Sequence, residues 1–347
     1  MGCMPPTKQR RRRDRLPPQG HGRRVSAPGA PPAEPLVVSY GAGVDSTAML
    51  VGLHARGIRP DAILFADTGG EKDATYAYLP VMQAWLASVG FPAITVARRA
   101  PTVDGKNGSY DTLETNCLVN ATLPSLAFGG RKACSLKWKV EPMDAWVTSW
   151  APARAAWAVG LKVRRAIGYD AGPVDSKRCW DLVEEARFRY VYFLREWGWD
   201  RERCVAEIAA AGLPVPVKSA CFFCPATKPA ELIQLHRQAP EKTARIRAME
   251  VAAAPGLKKI AGLWGAGVKG SRGAQPRPGS MSEFLRALDA GELLDDGTPR
   301  EVGALPWDGR AVHFARVKRH ADAATAKAAR HAARTPPAAD EPVPATA

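Results

Sequence analysis

Two short stretches of this chain hold residue types whose spacing suits chemistry. The first is Ser39-Tyr40-Gly41-Ala42-Gly43-Val44-Asp45-Ser46. Gly41 and Gly43 let the backbone turn tightly and come close to a ligand, because no Cβ stands in the way. An Ala/Met/Leu run follows at once, which places a helix N-terminus directly after the turn. Unpaired N–H groups and the helix dipole make that end a natural seat for phosphate. Ser39 and Ser46 add hydroxyl donors, and Asp45 can cap the helix or help hold a metal-bound phosphate. The stretch has neither the Lys-Ser/Thr ending of a P-loop nor G-x-G-x-x-G spacing. On these residues alone, an ordinary strand-to-helix turn built from small residues reads the same way.

The second stretch is Cys221-Phe222-Phe223-Cys224. A Cys-x-x-Cys turn points two sulfurs at one ion or cluster. A structural zinc knuckle, a redox dithiol and a pair of inert buried thiols compete with that reading. The aromatic pair, with no helix start after it, is unlike a thioredoxin dithiol. Seven cysteines in a chain expected to be cytoplasmic argue against a disulfide framework and towards metal or redox chemistry.

Alternating elements must position these groups. A strand near Leu36–Ser39 feeds the glycine turn and a helix near Asp45–Ala55. A second strand, Ala62–Ala66, runs into Asp67-Thr68-Gly69-Gly70-Glu71. A helix over 73–89, a strand over 93–97 and a further strand from Val163 continue the pattern. Strands and helices alternating in this way predict an α/β fold, a doubly wound parallel sheet of Rossmann-like type, with a smaller cysteine-bearing C-terminal part. Ligands in such sheets bind beyond the carboxyl ends of the strands, where both the Gly41–Ser46 and the Asp67–Glu71 loops open. Residues 98–133, rich in Gly, Asn, Ser and Thr, read as a mobile cover over that crevice. Asp200–Ala211 reads as a helix with Cys204 as a packed thiol, and another helix lies near Met281–Leu288.

The chain of 347 residues, 46% of them hydrophobic, can bury a sizeable core. It has no apolar run long enough for a membrane helix and no apolar segment after its basic start, so neither a membrane span nor a secretory signal is expected. The net charge of +15 is concentrated at the two ends. Eight basic residues from Lys8 to Arg24 face one acid, Asp14, and seven from Arg310 to Arg334 face three. Such arms suit nucleic acid through counterion release, or are plain solvated tails. The expected division is a basic tail over 1–34, a nucleotide domain over 35–240, a helical extension over 241–315 and a tail over 316–347.

The first loop resembles the Ser-x-Ser-Gly-Gly-x-Asp-Ser motif of the PP-loop ATP pyrophosphatases, or adenine nucleotide alpha hydrolases. Ser39, Gly43, Asp45 and Ser46 match; Gly41 stands where the second serine is usual and Ala42 where the first glycine is. Asp67-Thr68-Gly69-x-Glu71 with Thr75 and Tyr76 is similar to the second motif of the phosphoadenosine phosphosulfate (PAPS) reductase branch. Cys134-Ser135-Leu136-Lys137-Trp138-Lys139-Val140-Glu141-Pro142-Met143 is similar to the Cys-Cys-x-x-x-Lys-Val-Glu-Pro-Leu segment of cluster-bearing adenylylsulfate reductases, with Ser135 in the second cysteine's place. Leu194-Arg195-Glu196-Trp197 resembles their Pro-Leu-x-x-Trp segment, and Cys221–Cys224 follows in the order they keep. The resemblance covers residues 36–236.

It implies an adenine nucleotide, ATP or an adenylyl nucleotide, on Ser39, Gly41, Gly43, Asp45, Ser46, Asp67, Thr68 and Gly69, with Mg²⁺. Asp45 and Ser46 would be the catalytic pair. It also implies an iron–sulfur cluster on Cys134, Cys221 and Cys224, with zinc as the alternative. Cys117 is the first choice of fourth ligand, and Cys179 and Cys204 are the others. Two departures bear on the reaction. Gly168-Tyr169-Asp170 replaces the Gly-x-Arg of the reductases, although Lys177 and Arg178 follow closely, and no cysteine after Cys224 matches their C-terminal nucleophile. The implied activity is therefore cleavage of ATP to AMP and pyrophosphate for sulfur insertion into a nucleic acid, with a sulfur or electron donor protein as partner. The alternatives are an adenylylsulfate reductase with a divergent thiol source, and a nucleotide- or nucleic-acid-binding partner without turnover.

Overall fold

The computed structural model describes residues 34–128, 133–176, 185–258, 260–264 and 277–300. Five parallel strands form one sheet in the order β3-β2-β1-β4-β5: β1 Leu36–Tyr40, β2 Ala62–Asp67, β3 Ile94–Arg98, β4 Val163–Ile167 and β5 Phe188–Val191. β1 is central, pairing Val37 with Ala62 on one side and with Arg165 on the other. Helices on both faces explain why Leu-Val-Val-Ser-Tyr and Ala-Ile-Leu-Phe-Ala-Asp read as continuous apolar runs rather than alternating ones. The doubly wound α/β architecture is the one the alternation predicts.

One face carries α1 (Val44–Ala55) and α2 (Asp73–Ser88), joined later by the short α8 (Phe193–Glu196) and by α9 (Arg201–Ala210). Nine of the twelve residues of α1 are buried, because α9 and α8 pack against it as well as the sheet. α9 begins at Asp200, whose side chain accepts from the Arg203 N–H at 2.9 Å. Cys204 is buried in this core, as its place in the helix predicts. The opposite face carries α5 (Glu141–Ser149) and α6 (Ala151–Ala158) over Val37, Leu64, Ala97 and Val163.

A third cluster sits beside the sheet. It combines α3 (Leu113–Val119), Trp138, Phe222, Phe223, α10 (Pro229–Gln238), α11 (Pro240–Ala253) and α12 (Met281–Asp289). Glu250 of α11 accepts the N–H groups of Met281 and Ser282 and the Ser280 hydroxyl, anchoring the start of α12 by charge-assisted bonds. The division expected after residue 240 falls at the first residue of α11, inside this cluster.

Within the segment expected as a mobile cover, the described residues 98–128 hold local structure. Thr102 and Tyr110 exchange backbone hydrogen bonds, and α3 starts at a reciprocal cap between Thr112 and Thr115. Threonine in place of the Glu or Gln that usually completes such a cap hid it from sequence. The segment at Cys134 makes a short helical turn, α4 (Ala133–Ser135), then a π-helix over Leu136–Val140 that leads into α5. Such wide turns cluster at functional sites. Among the described residues the remaining α-helix is the short α7, Pro173–Ser176, and 3-10 turns lie at Ser125–Phe128 and Ala254–Gly256. Among the described residues, no helix is long and apolar enough to cross a membrane.

Candidate functional site

The chain winds from β1 to β2 and β3 on one side and returns to β4 and β5 on the other, so the β1/β4 gap is the switch point of the sheet. A cleft of about 810 Å³ opens there. Ser39, Gly41, Gly43, Asp45 and Ser46 line it, so five of the residues expected at a nucleotide meet in one place.

The loop has a definite shape. Ser46 Oγ accepts from the Gly41 N–H and donates to the Gly43 carbonyl, both at 3.2 Å, closing the turn on itself. Ala42 takes φ +54°, a left-handed conformation that favours glycine. Gly168, just beyond β4, lies so close to the first turn of α1 that a Cβ there would meet Ser46 N at 2.8 Å. Ser219, from the approach to the Cys-x-x-Cys turn, forms the other wall.

Three carboxylates converge at the mouth. Oxygens of Asp45, Asp170 and Asp175 all lie within 4.8 Å of one another, and Asp45 Oδ1 also accepts from Arg201 Nη1 at 2.7 Å. Burial raises the Asp45 pKa, Arg201 opposes the rise through its charge and hydrogen bond, and the two neighbouring carboxylates add to it. A hard divalent cation takes such an all-oxygen set, so the donor chemistry fits Mg²⁺. Asp175 and Arg201 carry no motif and were not anticipated. Only the position of Asp170, at the carboxyl end of the strand beside β1, pointed to the cleft. Lys177 and Arg178 lie outside the described residues.

Asp67, Thr68 and Gly69 are not in the lining of this cleft. Asp67 is buried with its oxygens engaged: Oδ1 accepts from the Gly69 N–H at 2.8 Å and the Tyr76 hydroxyl at 2.6 Å, and Oδ2 from Arg98 Nε at 2.8 Å. Burial pushes this carboxyl up, but the donors of Tyr76, Gly69 and Arg98 together hold it below the usual range. The loop's visible work is to position the cysteine turn. Phe222 N–H donates to the Gly70 carbonyl, Lys72 N–H to the Ala220 carbonyl, and Thr68 Oγ1 lies 3.2 Å from Cys221 Sγ. A Cβ on Gly70 would strike the Phe223 ring at 2.5 Å.

Cys117 and Cys221 are buried in the third cluster, and Cys134 and Cys224 pack against it partly buried. The structure thus gathers the four cysteines named from sequence around one core. Burial raises the thiols of Cys221, Cys224 and Cys117, the last to about 12, so a metal that takes them must bind thiolates the free protein keeps protonated. Among the described residues no three of these sulfurs lie within 4.8 Å of one another. Cys204 lies in the other core, against α1, and Cys179 is outside the described residues.

No protein-family model matches the chain, and no curated protein does. Among solved structures, the U34-tRNA thiolase NcsA from Methanococcus maripaludis with its 4Fe-4S cluster aligns over 65% of this chain and 73% of its own, at 12% identity and a TM-score of 0.29.

Proposed function

We propose that the chain is an ATP-using enzyme that cleaves ATP to AMP and pyrophosphate and uses the adenylated intermediate to insert sulfur into a nucleic acid. The observation that carries the nucleotide half is the coincidence, in one cleft, of the Gly41–Ser46 turn at the start of α1 and the carboxylates of Asp45, Asp170 and Asp175. One seats phosphate and the other suits the cation that accompanies it.

In this reading the turn's N–H groups and the dipole of α1 hold the β- and γ-phosphates. Ser46 keeps the turn in shape, and Ser39 offers a hydroxyl at the strand end. An acceptor carbonyl oxygen attacks the α-phosphorus, the bond to pyrophosphate breaks, and a sulfide-level donor then displaces AMP. Mg²⁺ held by Asp45, Asp170 and Asp175 would neutralise charge on the phosphates. The thiols of Cys134, Cys221 and Cys224, with Cys117, would hold an iron–sulfur cluster. The basic ends, 1–34 and 316–347, would hold the nucleic acid.

The acidic mouth weighs against the reductase alternative. A sulfonucleotide bound without a cation would meet three carboxylates where the reductases offer an arginine. The test is product analysis. Anaerobic protein with ATP, Mg²⁺, a sulfide donor and bulk transfer RNA or DNA should release AMP and pyrophosphate, and with adenylylsulfate it should release no sulfite. Thioredoxin-dependent sulfite release would overturn the reading in favour of the reductase, and nucleotide binding without any cleavage would favour the partner without turnover.

A further inference from the structure

The ion pair between Asp45 and Arg201 belongs to no motif. Arg201 is the first residue of α9, and that helix packs along α1, so the pair bridges the starts of two adjacent helices at the mouth of the cleft. Its side chain is half exposed, whereas Asp45 is largely covered. A guanidinium fork suits a phosphate as well as a carboxylate, and a half-exposed arginine exchanges one for the other without a large desolvation cost.

Arg201 holds Asp45 Oδ1 at 2.7 Å, so a divalent cation on the Asp45 carboxylate would sit within a few ångströms of the guanidinium and be repelled by its charge. A cation arriving alone must displace the guanidinium or bind against its positive charge. A cation arriving with a polyphosphate brings Arg201 a replacement anion. We propose that Arg201 is a latch on the cation site: it occupies Asp45 until the phosphates of a nucleotide draw it away, so that cation and nucleotide bind with positive coupling. The proposal rests on the cleft being a nucleotide site and adds how that site refuses a bare cation.

Mn²⁺, standing in for Mg²⁺, can be titrated against the full-length protein and Arg201→Gln, with the free ion followed by electron paramagnetic resonance. Without nucleotide, Arg201→Gln should bind Mn²⁺ about tenfold more tightly than the parent. An ATP analogue with a non-hydrolysable α,β bridge should tighten Mn²⁺ about tenfold in the parent and less than about twofold in the variant. Arg201→Lys, which keeps the charge but not the fork, should fall between. Asp45→Asn should erase the difference made by Arg201→Gln, since the latch has nothing to hold. Equal Mn²⁺ affinity of parent and Arg201→Gln would overturn the proposal, as would a parent that binds Mn²⁺ equally well with and without an analogue that does bind. Failure of the analogue to bind either protein would sink the nucleotide reading instead, while the titrations with Mn²⁺ alone still decide whether Arg201 guards Asp45.

Discussion

Lys139 Nζ lies 2.6 Å from Glu71 Oε1. That contact joins the π-helical turn after Cys134 to the loop after β2, and the same oxygen is 3.9 Å from Cys221 Sγ. Three separate motifs therefore meet at one buried carboxylate. Its second oxygen, Oε2, has no partner among the described residues. Burial pulls the Lys139 ammonium down, but the Glu71 carboxylate, together with Cys221 and Cys224 beside it, holds the group above the ordinary lysine range.

The pair should behave as an electrostatic unit. Lys139→Met leaves a buried carboxylate uncompensated and should cost about 3 kcal/mol in denaturant unfolding. Adding Glu71→Gln should recover most of that loss, because it removes the stranded charge. A double variant no more stable than Lys139→Met would show that the lysine works through packing rather than charge.

The cysteines allow a sharper test. Anaerobically purified protein should be brown, with iron and acid-labile sulfide in near-equal amounts, and serine at Cys134, Cys221 or Cys224 should bleach it. Cys204→Ser should leave the colour intact, since that thiol lies in the core against α1. Cys117→Ser decides whether the buried α3 thiol is the fourth ligand. Colourless protein holding one tight zinc per chain would refute the cluster.

Asp67 sets an acid limit on the fold. Its folded pKa is depressed, so its contribution is present above the ordinary carboxylate range and is lost as pH falls through the folded value. Asp67→Asn should cost about 1–3 kcal/mol at pH 7, where a buried network loses a charged acceptor. The gap to the parent should narrow as the pH is lowered towards 3. A constant gap between pH 7 and pH 3 would mean that shape rather than charge is what the variant loses.

The sheet was legible because buried parallel strands announce themselves, as Leu36–Tyr40 and Ala62–Asp67 do, and the glycine turn because its residues are contiguous. What escaped was assembled across the chain. Asp175 and Arg201 reach the cleft through folding alone, and α3 escaped because its cap uses Thr115. Asp67 and Thr68 match a motif in sequence, yet their contacts go to Tyr76, Arg98 and Cys221, which spacing cannot reveal.

The glycines around the first loop yield opposed expectations. A Cβ on Gly41 would lie 3.8 Å from Ser219 Oγ and 3.9 Å from Ser46 Oγ, which is ordinary contact. Gly41→Ser should therefore fold normally and hold ATP as well or more tightly, since it returns a hydroxyl donor to the turn. Ala42→Gly relieves a left-handed alanine and should stabilise by up to about 1 kcal/mol, less whatever packing the buried methyl provides. Gly168→Ala is the reverse case. Its Cβ would sit 2.8 Å from Ser46 N and 3.1 Å from the Asp45 carbonyl carbon, and both are backbone atoms that cannot rotate away. Either β4 retreats or the first turn of α1 shifts, and each spoils the cradle for phosphate. The variant should keep its far-ultraviolet circular dichroism while ATP affinity, read by calorimetry, falls at least about tenfold, equivalent to ~1.4 kcal/mol. Gly168→Ala that binds ATP like the parent would place the nucleotide somewhere other than the start of α1.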